Sequence, residues 1–352
     1  MPMLSRLSGL LIVALAFALP VQAQQSAPNP SGDLQQQRGV SQPGNNAPVW
    51  REVKSGQPNY TSDRGREAGV LVQVQARFLG QPAMTTAGEA WRKFRNGPIT
   101  FYGGWLIVLV TLAIGAFYLV KGPLKLHGKP TGRMIERFSL VDRWAHWTTA
   151  ISFCVMAITG MITLFGKHVL LPVFGYTLFS WLSSLSINLH NFVAPLFIVG
   201  LLVMILIFVK DNLPEKGDMA WLTGVFSIFL SGKDMPSGRF NALEKVYFWI
   251  GVVVLCITLC VTGLIMLFPN FDQIRTTMQE ANVIHAVSAV IMIVMALGHI
   301  YAGTIGVEGA YGNMRDGVTD ETWAKEHHEY WYDDVKSGKV AAKTDAAPQA
   351  QN

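Results

Sequence analysis

The sequence predicts an all-α integral membrane protein: five membrane-crossing helices behind an exported, partly disordered N-terminal segment. Three observations carry that prediction. Half of the 352 residues are hydrophobic and only 14% are charged, and the mean hydropathy is +0.30, outside the range of an ordinary soluble domain. Apolar runs of about 20 residues, the length needed to cross a hydrocarbon core, recur along the chain. Lysine and arginine alternate between dense and sparse from one connecting loop to the next, as in a chain that crosses a membrane repeatedly.

Residues 1–23 read as a secretory signal peptide. Arg6 precedes the apolar run Leu10–Leu19, and Val21-Gln-Ala23 puts small residues at the cleavage-type positions. An uncleaved anchor is the alternative, and with either one Gln24 onward is exported. Residues 24–98 form the exported segment. Gln24–Pro58, rich in Gln, Pro, Gly, Ser and Asn, is too polar to offset its ordering entropy and is expected to be largely disordered. The later part, with Val70-Leu-Val-Gln-Val-Gln-Ala76 and Trp91-Arg-Lys-Phe-Arg95, either folds on a partner or marks the membrane interface.

Five spans follow, near Tyr102–Val120, Ala145–Phe165, Leu189–Val209, Val246–Phe268 and Ile284–Gly306. The first lies within residues 99–122 and the other four within residues 136–310. Loop one carries Lys121, Lys125, Lys129, Arg133, Arg137 and Arg143; loop two Lys167; loop three Lys210, Lys216, Lys233, Arg239 and Lys245; loop four Arg275. Loops one and three are therefore expected to be cytoplasmic, together with the tail over residues 311–352. Met219–Leu230 is too short to span beside its neighbours and reads as an interfacial helix. The net charge of +5 follows from this topology; no basic groove interleaved with aromatics points to nucleic acid.

Functional residues stand out because ionisable side chains are costly in a membrane. His285 and His299 lie fourteen positions apart in one span, about 40° short of four full turns and roughly 21 Å apart along the axis. They share a face at two depths. The expected topology puts His190 at the depth of His285 and His146 at the depth of His299, giving an outer pair and an inner pair. Two imidazoles facing each other between helices suit haem iron, closing both axial positions and favouring electron transfer over oxygen chemistry. Gly160, fourteen residues after His146, shares that ligand's face at the depth of the other pair, where a missing side chain gives a porphyrin room. Helix–helix packing is the other reading of that glycine. Tetrahedral zinc would need its ligands converging on one point, and a histidine proton relay in a transporter lacks the inverted repeats or broken helices such proteins show. His127 and His168 read as solvated side chains, and the adjacent His327 and His328 point apart on a helix. Cys154, Cys256 and Cys260 lie in apolar spans without CxxC or CxxCH, against a disulfide framework, an iron–sulfur site or covalent haem attachment.

These residues resemble a known family, the gamma (cytochrome b) subunit of membrane-bound respiratory formate dehydrogenase. The resemblance runs from about Glu136 to Tyr332. It rests on Arg137-Phe-Ser-Leu-Val-Asp-Arg-Trp-Ala-His146-Trp147, Met156-Ala-Ile-Thr-Gly160, Leu189-His190-Asn191-Phe192, Asn212-Leu-Pro214, Phe240-Asn241 with Lys245, Ile284-His285-Ala286, Gly298-His299-Ile-Tyr301 and Trp323-Ala-Lys-Glu-His-His-Glu-Tyr-Trp-Tyr332. The signal peptide, exported segment and first span are an extension that shorter members lack.

The resemblance implies a di-haem cytochrome b of the bacterial inner membrane, with two b haems ligated by His146, His190, His285 and His299. It implies an exported molybdenum or tungsten formate-oxidising subunit and an exported iron–sulfur subunit as partners, with quinone as electron acceptor. In that family quinone binds on the cytoplasmic side, near the positions matching Asn241 and His299. This chain has Leu243 where the pattern has a glycine, which alters the shape expected of that pocket. Asn241 has a second reading as a helix cap. Arg137, Arg143 and Lys245 either pair with haem propionates or serve topology. The same frame also serves nickel–iron hydrogenase or thiosulfate reductase, and the Asn241 segment with the aromatic tail favours formate dehydrogenase.

Overall fold

The computed structural model describes residues 75–341 apart from 233, 234 and 272. The expected signal peptide and the polar stretch Gln24–Pro58 lie outside the described residues. Contacts divide the described chain into two units. One consists of the residues up to Phe101 with Leu264–Val283, and the other of Tyr102–Gly263 with the residues from Ile284 on.

In the first unit β1 (Gln75–Ala76) pairs antiparallel with β2 (Thr85–Thr86). Thr86 then caps α1 (Ala87–Phe94), its hydroxyl accepting from the Glu89 amide at 3.3 Å. The wider π-helical turn Arg95–Ile99 contains Pro98, which has no amide hydrogen to give a tighter turn. The helix then runs on as α2 (Thr100–Lys121).

The second unit holds all the histidines singled out above. Ser139 and Asp142 form a reciprocal capping box at the start of α3 (Leu140–Val169). α4 (Leu171–Phe208) passes through Gly175 at φ 71, a left-handed conformation that favours glycine. α5 (Asp218–Ser231) is the short helix expected over Met219–Leu230. Next come α6 (Ala242–Val246), a π-helical stretch Tyr247–Leu255, and α7 (Cys256–Leu267). α8 (Arg275–Tyr301) begins in the first unit and is extended by the π turn Ala302–Gly306.

Among the described residues five helices are long and apolar enough to cross a membrane: Ala87–Lys121, Leu140–Val169, Leu171–Phe208, Ala242–Leu267 and Arg275–Gly306. Two features differ from the sequence expectation. The third span begins at Leu171, well before Leu189, across a stretch whose serines and asparagine lower the hydropathy; Asn188 donates to the Ser184 carbonyl at 2.8 Å. The fourth span is π-wound over its first half, a change of winding that apolar composition cannot report.

The core of the second unit sits between α3, α4, the π stretch and α8. Phe197, Leu201, Met204 and Phe208 recur along one stripe of α4 and are all buried, against Phe248, Met292 and Ala296. In a bilayer this stripe gains close packing rather than escape from water, since lipid tails are as apolar as the core.

The C-terminal residues return to the loop after α2. β3 (Met134–Glu136) pairs antiparallel with β4 (Val318–Asp320). They are followed by α10 (Glu321–His327) and α11 (Glu329–Lys336), after α9 (Ala310–Asp316). Ile135, Ala324 and Trp331 form a second small core.

His328 joins the two layers. Its Nε2 lies 2.9 Å from Arg137 Nη2, which can only donate, and its Nδ1 lies 2.8 Å from the Gly238 carbonyl, which can only accept. The ring is therefore neutral, with the proton on Nδ1. Burial first, then the Arg137 charge, hold its pKa well below the ordinary value of 6.5. The unfolded chain thus binds the extra proton more readily, and this contact loses stability as pH falls below about 6.5. Tail protection in limited proteolysis is expected to decline through that range in the wild type and to lose this dependence in His328→Gln; an unchanged dependence in the variant would assign it elsewhere.

Candidate functional site: two facing histidine pairs

Local chemistry at the helix starts places the site. Asp142, in the cap of α3, is one turn before His146. Its carboxylate accepts from Arg239 Nη2 at 2.9 Å, and Arg239 Nη2 also donates to the Arg137 carbonyl at 2.7 Å. Two residues on, Asn241 caps α6 with Oδ1 accepting from the Glu244 amide at 3.0 Å, while the Glu244 carboxylate accepts from the Asn241 amide at 2.7 Å. The starts of the second and fourth spans are thereby pinned together. That brings His146 on α3 and Tyr247 in the π stretch to His299 on α8.

The His146 and His299 ring centroids are 6.1 Å apart at 53°. Tyr247 stacks on the other side of His299 at 4.5 Å and 7°. His190 and His285 form the second facing pair, with centroids 6.3 Å apart at 67°. Among the described residues no three His, Cys, Asp or Glu side chains come together as a metal site. The four histidines are grouped in twos.

Two imidazoles on opposite faces of one metal, each bonded through a nitrogen at about 2 Å, bring their ring centroids to about 6 Å. Both pairs have that spacing. The donor set fits haem iron, which takes one axial imidazole on each face.

A glycine lies beside each ring of the His190–His285 pair. A Cβ at Gly160 would approach His190 Cε1 at 3.6 Å, and a Cβ at Gly263 would approach His285 Cε1 at 3.4 Å. Beside each glycine a threonine meets the same ring. Thr159 Oγ1 is 2.9 Å from His190 Nδ1, and Thr262 Oγ1 is 2.9 Å from His285 Nδ1. Sequence reasoning singled out Gly160 and missed Thr159, Thr262, Gly263 and Tyr247. The repeated dipeptides Thr159-Gly160 and Thr262-Gly263 were a signal in plain sight.

The cations near the pairs have protein partners. Arg137 donates to the Arg239 carbonyl at 2.7 Å and faces the rings of Phe138 and Trp323 at 4.9 and 5.0 Å. Burial is the main cause drawing its pKa down to about 10, so it stays charged at neutral pH. Lys245 Nζ bonds Asp218 at 3.0 Å and Glu215 at 3.2 Å, and Arg143 donates to the Arg315 carbonyl at 2.9 Å. Lys245 thus ties α5 to α6, and its charge is matched by carboxylates.

Residues 137–311 match a family model described as prokaryotic cytochrome b561. These residues are a cytochrome b561 domain. All four histidines, both Thr-Gly dipeptides and Asn241 fall within it. Curated relatives are similar to more than half of the chain. The cytochrome b556(Fdn) subunit of the nitrate-inducible formate dehydrogenase of Escherichia coli is 29% identical over 60% of this chain and 97% of its own length. The cytochrome b556(fdo) subunit of formate dehydrogenase from the same organism is 29% identical over 57% of this chain and 93% of its own. The formate dehydrogenase cytochrome b556 subunit of Haemophilus influenzae is 28% identical over 56% and 82%. The chain is a multi-pass membrane protein with a cytochrome b domain.

Proposed function

We propose that this chain is the cytochrome b subunit of a membrane-bound formate dehydrogenase, with residues 1–98 and the Lys- and Arg-poor loops exported and the C-terminal tail cytoplasmic. The two facing imidazole pairs carry the reading, together with relatives that bear this subunit's name. His190 with His285 and His146 with His299 would each hold one b haem, the first pair toward the exported side. Bound there, the haems would supply one-electron carriers that link an exported iron–sulfur subunit to quinone on the cytoplasmic side. Formate oxidation on an exported molybdenum or tungsten subunit would release its protons outside. Quinone reduction would take its protons from the cytoplasm, and each electron moved across is worth about 2.3 kcal/mol per 100 mV.

The chain's own residues perform three tasks. The histidines hold the carriers at fixed depth on rigid helices, Gly160 and Gly263 admit them, and the apolar walls exclude water. Quinone would bind near Asn241 and His299. Capping occupies Asn241 Oδ1 and leaves its Nδ2 amide as a donor for a quinone carbonyl.

The test is the visible spectrum of the complex purified from its own membranes, before and after formate. Sharp b-type bands on formate addition are expected. A preparation without such bands, even with dithionite, would return the histidines to a proton-relay role in a transporter. Bands with dithionite but not with formate, while the catalytic subunit is present, would assign another donor such as a hydrogenase.

Asn241→Asp separates the two roles of that residue, since it keeps the capping oxygen and removes the amide donor. Both Asn241→Asp and Asn241→Ala are expected to retain two haems and lower quinone reduction by about tenfold, the value of one lost hydrogen bond of about 1.4 kcal/mol. A normal rate in Asn241→Asp would leave capping as its only role.

A further inference from the structure

The two histidine pairs differ in what holds their second ring nitrogen. At the His190–His285 pair each Nδ1 meets a threonine on a neighbouring span, Thr159 of α3 for His190 and Thr262 of α7 for His285, both at 2.9 Å. Each threonine also has a main-chain acceptor for its own proton one turn back on its helix. Thr159 Oγ1 donates to the Val155 carbonyl at 2.8 Å, and Thr262 Oγ1 donates to the Thr258 carbonyl at 2.6 Å. A hydroxyl has one proton to give, so toward the ring each oxygen accepts. The proton therefore sits on Nδ1 in both rings, and Nε2 carries the lone pair.

Among the described residues no hydroxyl meets the rings of the other pair in this way. His146 Nδ1 is buried without a hydrogen-bond partner. His299 is held by the face of Tyr247 instead, and stacking leaves the in-plane nitrogens untouched.

An Nδ1–H that donates to an oxygen pushes electron density into the ring and makes the opposite nitrogen a stronger donor to a metal, which stabilises the oxidised state. We propose that Thr159 and Thr262 are positioning residues that make the His190–His285 centre the lower-potential one, so that electrons run downhill from it to the His146–His299 centre. The inference rests on the haem reading above and adds a direction to it.

The experiment is a redox titration of the purified wild-type complex, followed by visible spectrum and electron paramagnetic resonance. Haem is counted first. Fewer than two haems per chain would overturn the haem reading itself, separately from what the titration says of the threonines. With both haems present, Thr159→Val and Thr262→Val, which keep side-chain shape and remove the acceptor, are expected to raise the lower midpoint potential and leave the higher one in place. Thr159→Ser and Thr262→Ser are expected to restore the wild-type value. Valine variants with both haems and an unshifted lower wave would overturn the proposal. His299→Ala gives an independent check, because the haem that remains belongs to the His190–His285 centre. It should titrate at the lower wild-type potential, and titration at the higher one would overturn the proposal as well.

Discussion

His285→Ala is expected to leave one haem per chain in place of two and to abolish formate-to-quinone electron flow. The ring of His285 stands opposite His190 with centroids 6.3 Å apart, and among the described residues no third His, Cys, Asp or Glu joins them. Under the proposed ligation, alanine would leave His190 alone to hold its haem, without the paired imidazoles that suit electron transfer. The His146–His299 pair is built on the opposite ends of the helices and keeps its own capping network, so its haem is retained. The haem-to-protein ratio, measured as the pyridine haemochrome, and quinone reduction by formate would be read together. A variant that kept two haems and wild-type turnover would remove His285 from the ligand set. His146→Ala should give the complementary result, with the other haem lost.

Arg137→Met carries the second large effect, on the attachment of the C-terminal tail. The Arg137 side chain is 4% exposed, and its nearest carboxylate, Glu244, is 4.0 Å away. Its neighbours are mostly rings and acceptors. It bonds the Arg239 carbonyl and His328 Nε2, and it lies between Phe138 and Trp323. Methionine fills much of the volume but leaves a buried carbonyl and a buried imidazole nitrogen unsatisfied, at about 1–3 kcal/mol each. The expected loss is about 3 kcal/mol, read as earlier protease release of the segment after β4 and a lower Tm. Lysine should not rescue it, because a compact ammonium cannot serve a carbonyl, an imidazole and two ring faces with a planar fork. A tail as protected in Arg137→Met as in the wild type would show that β3–β4 pairing and the Ile135–Trp331 core hold it without the cation.

The capping network shows why function and stability are interleaved near His146 and His299. Arg239 bridges the caps of the second and fourth spans, and Asn241, the residue assigned to quinone, is itself a cap. A substitution there therefore acts on helix geometry as well as on chemistry. Tests that preserve the cap separate the two.

Much of this protein was legible in the sequence because a bilayer imposes a strong filter on it. Runs of apolar residues long enough to cross, loops sorted by Lys and Arg, and four histidines too costly to sit in spans without a reason are all properties of composition and spacing along one chain. The same one-dimensional spacing put His285 and His299 on one face. What composition could not show was winding and neighbours. The π stretch Tyr247–Leu255 changes which residues face inward without changing how apolar they are, and so Tyr247 came to stack on His299 unannounced. The extension of the third span back to Leu171 was masked by serines and an asparagine that lower its hydropathy, although Asn188 satisfies its amide on the helix backbone. Thr159 and Thr262 looked like ordinary span residues, because a hydrogen bond to a histidine on another helix exists only once the helices are packed. His328 likewise read as one of two adjacent tail histidines until Arg137, far away in the chain, closed over it. The sequence by itself determined the spans and the histidines within them. Tertiary structure alone decided which side chains meet the His190 and His285 rings, because those partners are brought together from separate spans.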